Sequence, residues 1–257
     1  MNLGMPTLVE FSSIEENIDL CNKLDLDFIE LNIDLPYCMP NNNVNWKEIK
    51  KNSNIDFTVH LSEKLEVGEI YEDARKKQIE IIKNAINYYN KEANIKKYNM
   101  HLDRGVYFNL PDGKIYIFEK YKEKYEIAID KSFAQLSEFA TENNIEIYFE
   151  NTSITNYIAK SFEKLKKYNN LYYTLDVGHS AKDNYAADKL FMKTPNMIKH
   201  MHIHDFNGEK NHKELGIGVI DVKKYLKFCE QNNIYSVIEV KRKQELINSI
   251  DYIRKKE

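Results

Sequence analysis

The chain has 257 residues, of which 42% are hydrophobic and 30% are charged. This composition is typical of a soluble globular protein that can bury a sizeable core, as one large domain or two small ones. The formal net charge of −3 argues against a nucleic-acid-binding protein, because such proteins usually carry a basic excess. We therefore expect no nucleic-acid partner.

The sequence shows no pattern of secretion or membrane insertion. Its first residues lack the basic region and apolar run of a signal peptide, and no stretch approaches the roughly 20 apolar residues of a membrane span. The three cysteines, Cys21, Cys38 and Cys229, have no CxxC spacing. Because their number is odd, we interpret them as free thiols in a reducing compartment. These features predict a cytoplasmic protein with no membrane partner.

In the first half of the chain, short runs rich in β-branched and aromatic residues alternate with helix-patterned segments. Strands are predicted at 7–12, 28–33, 56–61 and 98–102, and helices at 13–24, 46–51 and 69–93. The segment 35–45 contains two prolines and four asparagines and is predicted to be a loop.

The segment from Arg104 to Phe118, RGVYFNLPDGKIYIF, interrupts this alternation. Pro111-Asp112-Gly113 separates two arms rich in aromatic and β-branched residues, which predicts a β-hairpin. A long insertion directly after a strand more often covers a site than forms core. We therefore expect a lid that brings Tyr107, Phe108 and Tyr116 over the mouth of the fold and excludes water.

The second half of the chain repeats the alternation. Strands are predicted at 145–149, 171–175, 198–204 and 236–238, and helices at 119–143, 156–168, 186–192, 221–232 and 246–254. Eight strands that alternate with helices predict an α/β fold, a single (β/α)8 TIM barrel over residues 1–257 with the hairpin near 104–118 as an insertion. A doubly wound open sheet is the main alternative, but no GxGxxG motif follows an early strand.

The stretch IKHMHIHDFNGEKNHKELGIG at 198–218 holds four of the seven histidines. His200, His202 and His204 alternate along one predicted strand, so their side chains would share a face. Such an imidazole row, ending beside Asp205 and a flexible loop, is typical of a metal site at a strand end. Hydrogen-bonded structural roles are the alternative for each histidine alone; His200 fits this alternative best, and His204 is left open.

The active site of a (β/α)8 barrel lies at the carboxyl ends of its strands. Seven ionisable residues stand at or next to those predicted ends: His60, His101, Glu150, Asp176, His179, His202 and Glu239. The three carboxylates lie inside apolar runs, where an unpaired charge is costly. Together at one rim they would repel each other without a cation, so the sequence predicts a divalent metal site.

The motifs around these residues are FENT (149–152), LDVGH (175–179), MHIHD (201–205), HKELGIG (212–218) and IEV (238–240). They resemble the xylose-isomerase-like TIM-barrel superfamily, which contains sugar (phosphate) isomerases and epimerases and endonuclease IV-type AP endonucleases. The resemblance covers essentially the whole chain and is most specific over residues 145–240.

The resemblance implies that one divalent ion (Mn, Mg, Co or Zn) is held by Glu150, Asp176, His202 and Glu239. It also implies that a second metal or the substrate is contacted by four histidines: His60, His101, His179 and His212. In the nuclease branch of the superfamily, His60, His101 and Glu150 match the ligands of another metal. His179, His212 and an aspartate two residues before His212 match those of a third.

The chain departs from the nuclease pattern at Lys210, which stands where that aspartate would be. An ammonium group cannot ligate a cation, and this disfavours a trinuclear site. Lys210 is instead predicted to contact a substrate carboxylate or phosphate.

The main hypothesis is a metal-dependent isomerase or epimerase of a small sugar, sugar phosphate or related polyol that acts through an enediolate. Glu150 and Glu239 would be its catalytic acid–base pair. The alternatives are a metal-dependent hydrolase of abasic-site DNA and a non-enzymatic sugar or metal sensor. The expected partner is a small sugar-like molecule, and a homo-oligomer is left open.

Overall fold

Eight parallel strands close into a barrel, and helical segments join each strand to the next. The computed structural model describes residues 2–40, 42 and 44–255. The barrel strands are β1 (Asn2–Pro6), β2 (Phe28–Asn32), β3 (Asp56–His60), β4 (Lys97–Leu102), β7 (Glu146–Asn151), β8 (Leu171–Asp176), β9 (Ile198–Ile203) and β10 (Tyr235–Ile238). They follow one another in chain order around the barrel, and β10 pairs with β1 to close it.

Ten α-helices accompany these strands in the described residues. They are α1 (Ile14–Lys23), α2 (Trp46–Asn52), α3 (Glu72–Ala93), α4 (Ile117–Lys120), α5 (Lys122–Asn143), α6 (Asn156–Leu165), α7 (Val177–Lys182), α8 (Ala186–Phe191), α9 (Val222–Asn232) and α10 (Lys243–Arg254). Ser13 and Glu16 form a capping box at the start of α1. Over the same residues, none of the helices has the length and apolar character needed to cross a membrane. This architecture confirms the predicted (β/α)8 barrel.

The two faces of the barrel strands differ in chemistry. One set of alternate residues packs outward on the helices; Phe149, for example, contacts Phe133 of α5 with ring centroids 4.9 Å apart. The other set points inward and is largely polar. Thr174 donates to the Asn99 side chain at 2.6 Å and lies 3.2 Å from Nδ1 of His200. The apolar core therefore lies between the barrel and its helices, while the interior is available for polar chemistry.

The first strand lies earlier than predicted. The prediction at 7–12 is wrong, because β1 covers Asn2–Pro6 and the chain then turns away as a loop. Gly4 and Pro6 weaken the strand signal of this segment. Gly4 is nevertheless required by packing, since a Cβ there would lie 2.6 Å from the Phe28 ring. Long-range contact with β2 thus decides the position of a strand that local propensity does not reveal.

The predicted hairpin is present as β5 (Tyr107–Leu110) and β6 (Gly113–Tyr116), two antiparallel strands outside the barrel. Tyr107 pairs with Tyr116, whereas Phe108 pairs with Ile115 on the opposite face of the hairpin. Phe118 follows the second strand and stacks on Tyr125 at 4.9 Å, which anchors the hairpin to α5. Its predicted action as a lid stays a prediction.

Candidate metal centre

Four side chains meet at the carboxyl ends of neighbouring strands. Glu150 lies in β7, Asp176 ends β8, His202 lies in β9 and Glu239 directly follows β10. Each is buried and offers one ligand atom, and these atoms all lie within 4.8 Å of one another. Three carboxylates and one imidazole form a donor set that suits Mn²⁺, Mg²⁺, Co²⁺ or Zn²⁺. The structure thus brings together all four residues expected to bind one metal.

One atom of this group tests the fit for a cation. Oε1 of Glu239 accepts a hydrogen bond from Nζ of Lys241 at 2.6 Å. Oε2 of the same carboxylate is buried and has no donor in hydrogen-bonding geometry among the described residues, although Nδ1 of His212 and Nδ1 of His202 lie 3.3 and 3.5 Å away. A buried carboxylate oxygen without a partner is costly. A divalent ion between the four side chains would satisfy it, so these residues fit a metal.

Histidine protonation balances the charge of the carboxylates when the protein holds no metal. Burial disfavours a charged His202, but Glu150, Glu30 and Glu239 outweigh this and raise its pKa well above the ordinary value. Burial likewise opposes ionisation of Glu150, yet His202 and His101 hold the pKa of that carboxyl well below its usual range. Since a metal ligand must offer a free lone pair, a bound ion has to displace the proton of His202.

Metal affinity is therefore expected to depend on pH over an unusually wide range. Below the raised pKa of His202, one proton must leave for each ion bound, so affinity should rise about tenfold per pH unit. A histidine with an ordinary pKa is neutral above about pH 6.5, and the affinity would no longer rise with pH beyond that point. Calorimetric titration of the metal-free protein with Mn²⁺ in buffers from about pH 6 to 9 checks this. An affinity that levels off near pH 6.5 would contradict the prediction.

Glu30 of β2 holds the far side of the His202 ring. Its Oε1 lies 2.7 Å from Nε2 of His202, whose Nδ1 then faces Oε1 of Glu150 at 3.1 Å. This carboxylate–imidazole pair fixes the ring so that Nδ1 is the atom offered to a metal. Glu30 was not among the predicted site residues, although it lies within the apolar run FIELNI. Site residues were predicted at the carboxyl ends of strands, whereas Glu30 stands in the middle of β2.

His200 lies below the metal centre in the barrel interior. It is fully buried, stacks on Tyr148 with ring centroids 5.4 Å apart and contacts Thr174. Burial lowers the pKa of His200 to about 4, so the ring is neutral. These contacts agree with the structural role that its position in the strand suggested.

His60 and His101 approach Glu150 from the neighbouring strands β3 and β4. Their Nε2 atoms lie 3.4 and 3.6 Å from Oε2 of Glu150, and Nδ2 of Asn99 donates to the same oxygen at 2.6 Å. His60, Glu150 and His202 also offer ligand atoms within 4.8 Å of one another. Both histidines thus lie at the centre, where a second metal or a substrate would meet them.

A separate histidine group flanks Asp176 on the other side. His179, His204 and His212 offer ring nitrogens within 4.8 Å of one another, and the rings of His204 and His212 lie 4.1 Å apart. Nδ1 of His204 accepts the backbone N–H of His212 at 2.9 Å, and Nε2 lies 3.0 Å from Asp176. His204, which the sequence left open, therefore connects the loop of His212 to the metal centre.

Two lysines near the site occupy different positions. Lys210 is exposed on the loop after β9, where its backbone N–H donates to the Asn207 side chain at 2.8 Å. Lys241, which was not among the predicted site residues, instead contacts Glu239. The role of Lys210 as a substrate contact stays a prediction.

Gly178 of the LDVGH motif leaves room for His204. A Cβ at this position would lie 1.9 Å from Cε1 of the buried ring. Gly178→Ala should displace the ring from Asp176 and destabilise the protein by about 1–3 kcal/mol, measured by urea unfolding. The double variant Gly178→Ala/His204→Ala should be as stable as His204→Ala alone, because the clash is then gone. Equal additional losses in both backgrounds would contradict this explanation.

The comparisons with known proteins agree with the architecture. An uncharacterized protein of Methanocaldococcus jannaschii is 31% identical over 130 residues, which are 48% of this chain and 51% of the relative. The chain thus spans about half the length of the curated relative it matches.

Solved structures match over nearly the whole chain. A D-tagatose 3-epimerase-like protein has a TM-score of 0.78 at 22% identity, covering 99% of this chain and 96% of its own. The 3-keto-D-glucoside 4-epimerase of E. coli has a TM-score of 0.76 at 16% identity, and the match covers 98% of this chain and 97% of the epimerase. The IOLI protein with a bound zinc atom has a TM-score of 0.73 at 16% identity, and the match covers 98% of this chain and 93% of the IOLI protein. At these identities the likeness shows a shared fold.

A model of the xylose isomerase-like TIM barrel family matches residues 18–256. The match includes β2 to β10 and all four residues of the candidate metal centre. The chain belongs to the xylose isomerase-like TIM barrel family.

Proposed function

We propose that this protein is a divalent-metal-dependent isomerase or epimerase of a sugar or related polyol. The observation that carries the proposal is the buried group of Glu150, Asp176, His202 and Glu239, with one oxygen of Glu239 lacking a donor in hydrogen-bonding geometry among the described residues. These four residues would hold the ion. When bound, it supplies a Lewis acid that polarises a substrate carbonyl and stabilises an enediolate. The D-tagatose 3-epimerase-like protein and the 3-keto-D-glucoside 4-epimerase among the structural neighbours support this choice of substrate.

Glu150 and Glu239 are suited to move the substrate proton. Oε2 of Glu150 accepts from Asn99 and Oε1 of Glu239 accepts from Lys241. The other oxygens, Oε1 of Glu150 and Oε2 of Glu239, lie 3.1 and 3.5 Å from Nδ1 of His202. The two glutamates stand on strands that are separated by β8 and β9 in the barrel, so they can approach a substrate carbon from two sides. One carboxylate removes the proton next to the carbonyl, and the other returns a proton.

The proposal is tested by solvent exchange. In D₂O with a ketose substrate and Mn²⁺, the wild-type protein should incorporate deuterium at the carbon next to the carbonyl. Glu239→Gln should lose this incorporation, because an amide cannot accept the proton. Glu209→Gln, an exposed change on the nearby loop, is the control and should exchange normally. Unchanged exchange in Glu239→Gln would refute the two-carboxylate mechanism.

A second candidate function, hydrolysis of abasic-site DNA, is favoured by one observation. Glu150 lies within reach of both His60 and His101, and a further histidine group flanks Asp176, so more than one metal has potential ligands. Metal analysis of the purified protein separates the two functions. One ion per chain supports the isomerase, whereas three ions together with cleavage of an abasic-site oligonucleotide would overturn it.

A further inference from the structure

A cleft of about 870 Å³ begins at His179, beside the metal centre, and extends outwards along the hairpin. Clefts of roughly 300–1,000 Å³ hold drug-sized ligands. The four side chains of the metal centre do not line this cleft, so a sugar bound at the metal would leave most of it free. The remaining volume has room for a second unit of similar size.

The hairpin supplies an aromatic wall to the cleft. Tyr107 and Tyr116 both line it, with ring centroids 5.4 Å apart. The guanidinium of Arg104 lies over the Tyr116 ring at 3.7 Å, which holds that ring in place. Tyrosine combines an apolar ring with a hydroxyl group. It therefore matches a sugar ring, which has C–H faces and hydroxyl edges.

The rest of the lining is polar and on balance acidic. Three basic side chains line the cleft: Lys64, Arg104 and Lys182. Five carboxyl groups also line it: Glu63, Glu66, Glu69, Asp103 and Asp183. Burial raises the pKa of Glu66 to about 8, which makes this carboxyl a donor at neutral pH, and the other four still outnumber the bases. Carboxylates accept hydrogen bonds from hydroxyl groups and repel anions. With four carboxylates against three cations, the lining has no excess of positive charge to hold a phosphate, and its acceptors suit an uncharged, hydroxyl-rich group.

We propose that the substrate consists of two linked units, a ketose unit at the metal centre and an uncharged sugar in the cleft beside the hairpin. The natural substrate class is then a keto-disaccharide or glycoside and not a free sugar phosphate. This inference rests on the proposed function for the reacting unit, whereas the second unit is assigned from the cleft alone.

The test compares free ketoses, ketose phosphates and keto-disaccharides with a free 1,2-keto end, such as maltulose, on the metal-loaded protein. The value of kcat/KM should be at least about tenfold higher for the disaccharides, which corresponds to one or two good contacts. Equal values for the free ketose would overturn the inference and leave the proposed function intact. A preference for the phosphate would also overturn it, and would support the predicted anion contact of Lys210.

Two hairpin variants locate the second unit. Tyr116→Ala should lower the disaccharide-to-ketose ratio of kcat/KM severalfold, because its ring lines the cleft. Ile115→Ala is the matched control, since Ile115 lies on the opposite face of the same hairpin, and it should keep the ratio. If no ketose is converted, the proposed function fails. Calorimetric binding of maltulose against fructose then tests the cleft separately, and equal affinities would refute the inference.

Discussion

Glu150→Gln is expected to lower kcat/KM for the best ketose substrate by about 10²–10⁴-fold, the contribution typical of a general acid or base. The change would remove the proposed proton acceptor and weaken a proposed metal ligand at once. Glu150 is also the residue that Asn99, His60 and His202 all contact, so no neighbouring carboxylate can take its place in the same geometry.

The measurement is steady-state turnover at saturating Mn²⁺, together with metal analysis of the variant. Glu146→Gln is the control, because Glu146 begins the same strand at the opposite end of the barrel and contacts Tyr148. Activity of Glu150→Gln within a few-fold of the wild type would exclude Glu150 from catalysis.

Glu30→Gln should weaken metal binding by about 10–100-fold, the range seen when the partner of a metal-bound histidine is removed. Glutamine retains the size of the side chain but can also present an N–H group to Nε2 of His202. The ring then loses the interaction that directs Nδ1 towards Glu150 and Glu239.

Calorimetric titration with Mn²⁺ gives the affinity, and nitrogen NMR of the histidines reports the tautomer of His202. Glu92→Gln, an exposed change on α3, should alter neither. An unchanged affinity in Glu30→Gln would show that the carboxylate serves only the packing of the barrel.

The meeting of Glu150, Asp176, His202 and Glu239 was predictable because a charged residue within an apolar run indicates a buried charge that needs a partner. Glu150, Asp176 and Glu239 each follow an apolar run, and a barrel topology is sufficient to bring strand ends together. Glu30 also lies within an apolar run, but it stands in the middle of its strand. Its contact with His202 depends on how β2 and β9 are positioned relative to each other across the barrel. Local sequence patterns do not predict that position.

Side-chain direction was harder to predict than strand position. In the sequence, Lys241 resembles any solvated lysine after a strand, but in the fold its ammonium group contacts Glu239. The loop after β9 likewise carries His212 to the metal centre and leaves Lys210 exposed. Such outcomes depend on backbone hydrogen bonds such as those from Gly216 and Gly218 to Asp205, which local patterns do not specify. The prediction of the first strand was wrong for a related reason, since packing against Phe28 outweighs the weak strand propensity of the segment that forms β1.

The polar interior of the barrel limits how this protein can evolve. Glu150 contacts Asn99, which contacts Thr174, then His200, Glu30, His202 and Glu150 again, in a closed circuit of side chains. Replacing one member by a hydrocarbon side chain would leave its neighbours unpaired, so stabilising substitutions are not available there one at a time. Lineages that adapt to higher temperature should therefore change the apolar layer between barrel and helices, and keep this circuit as a unit.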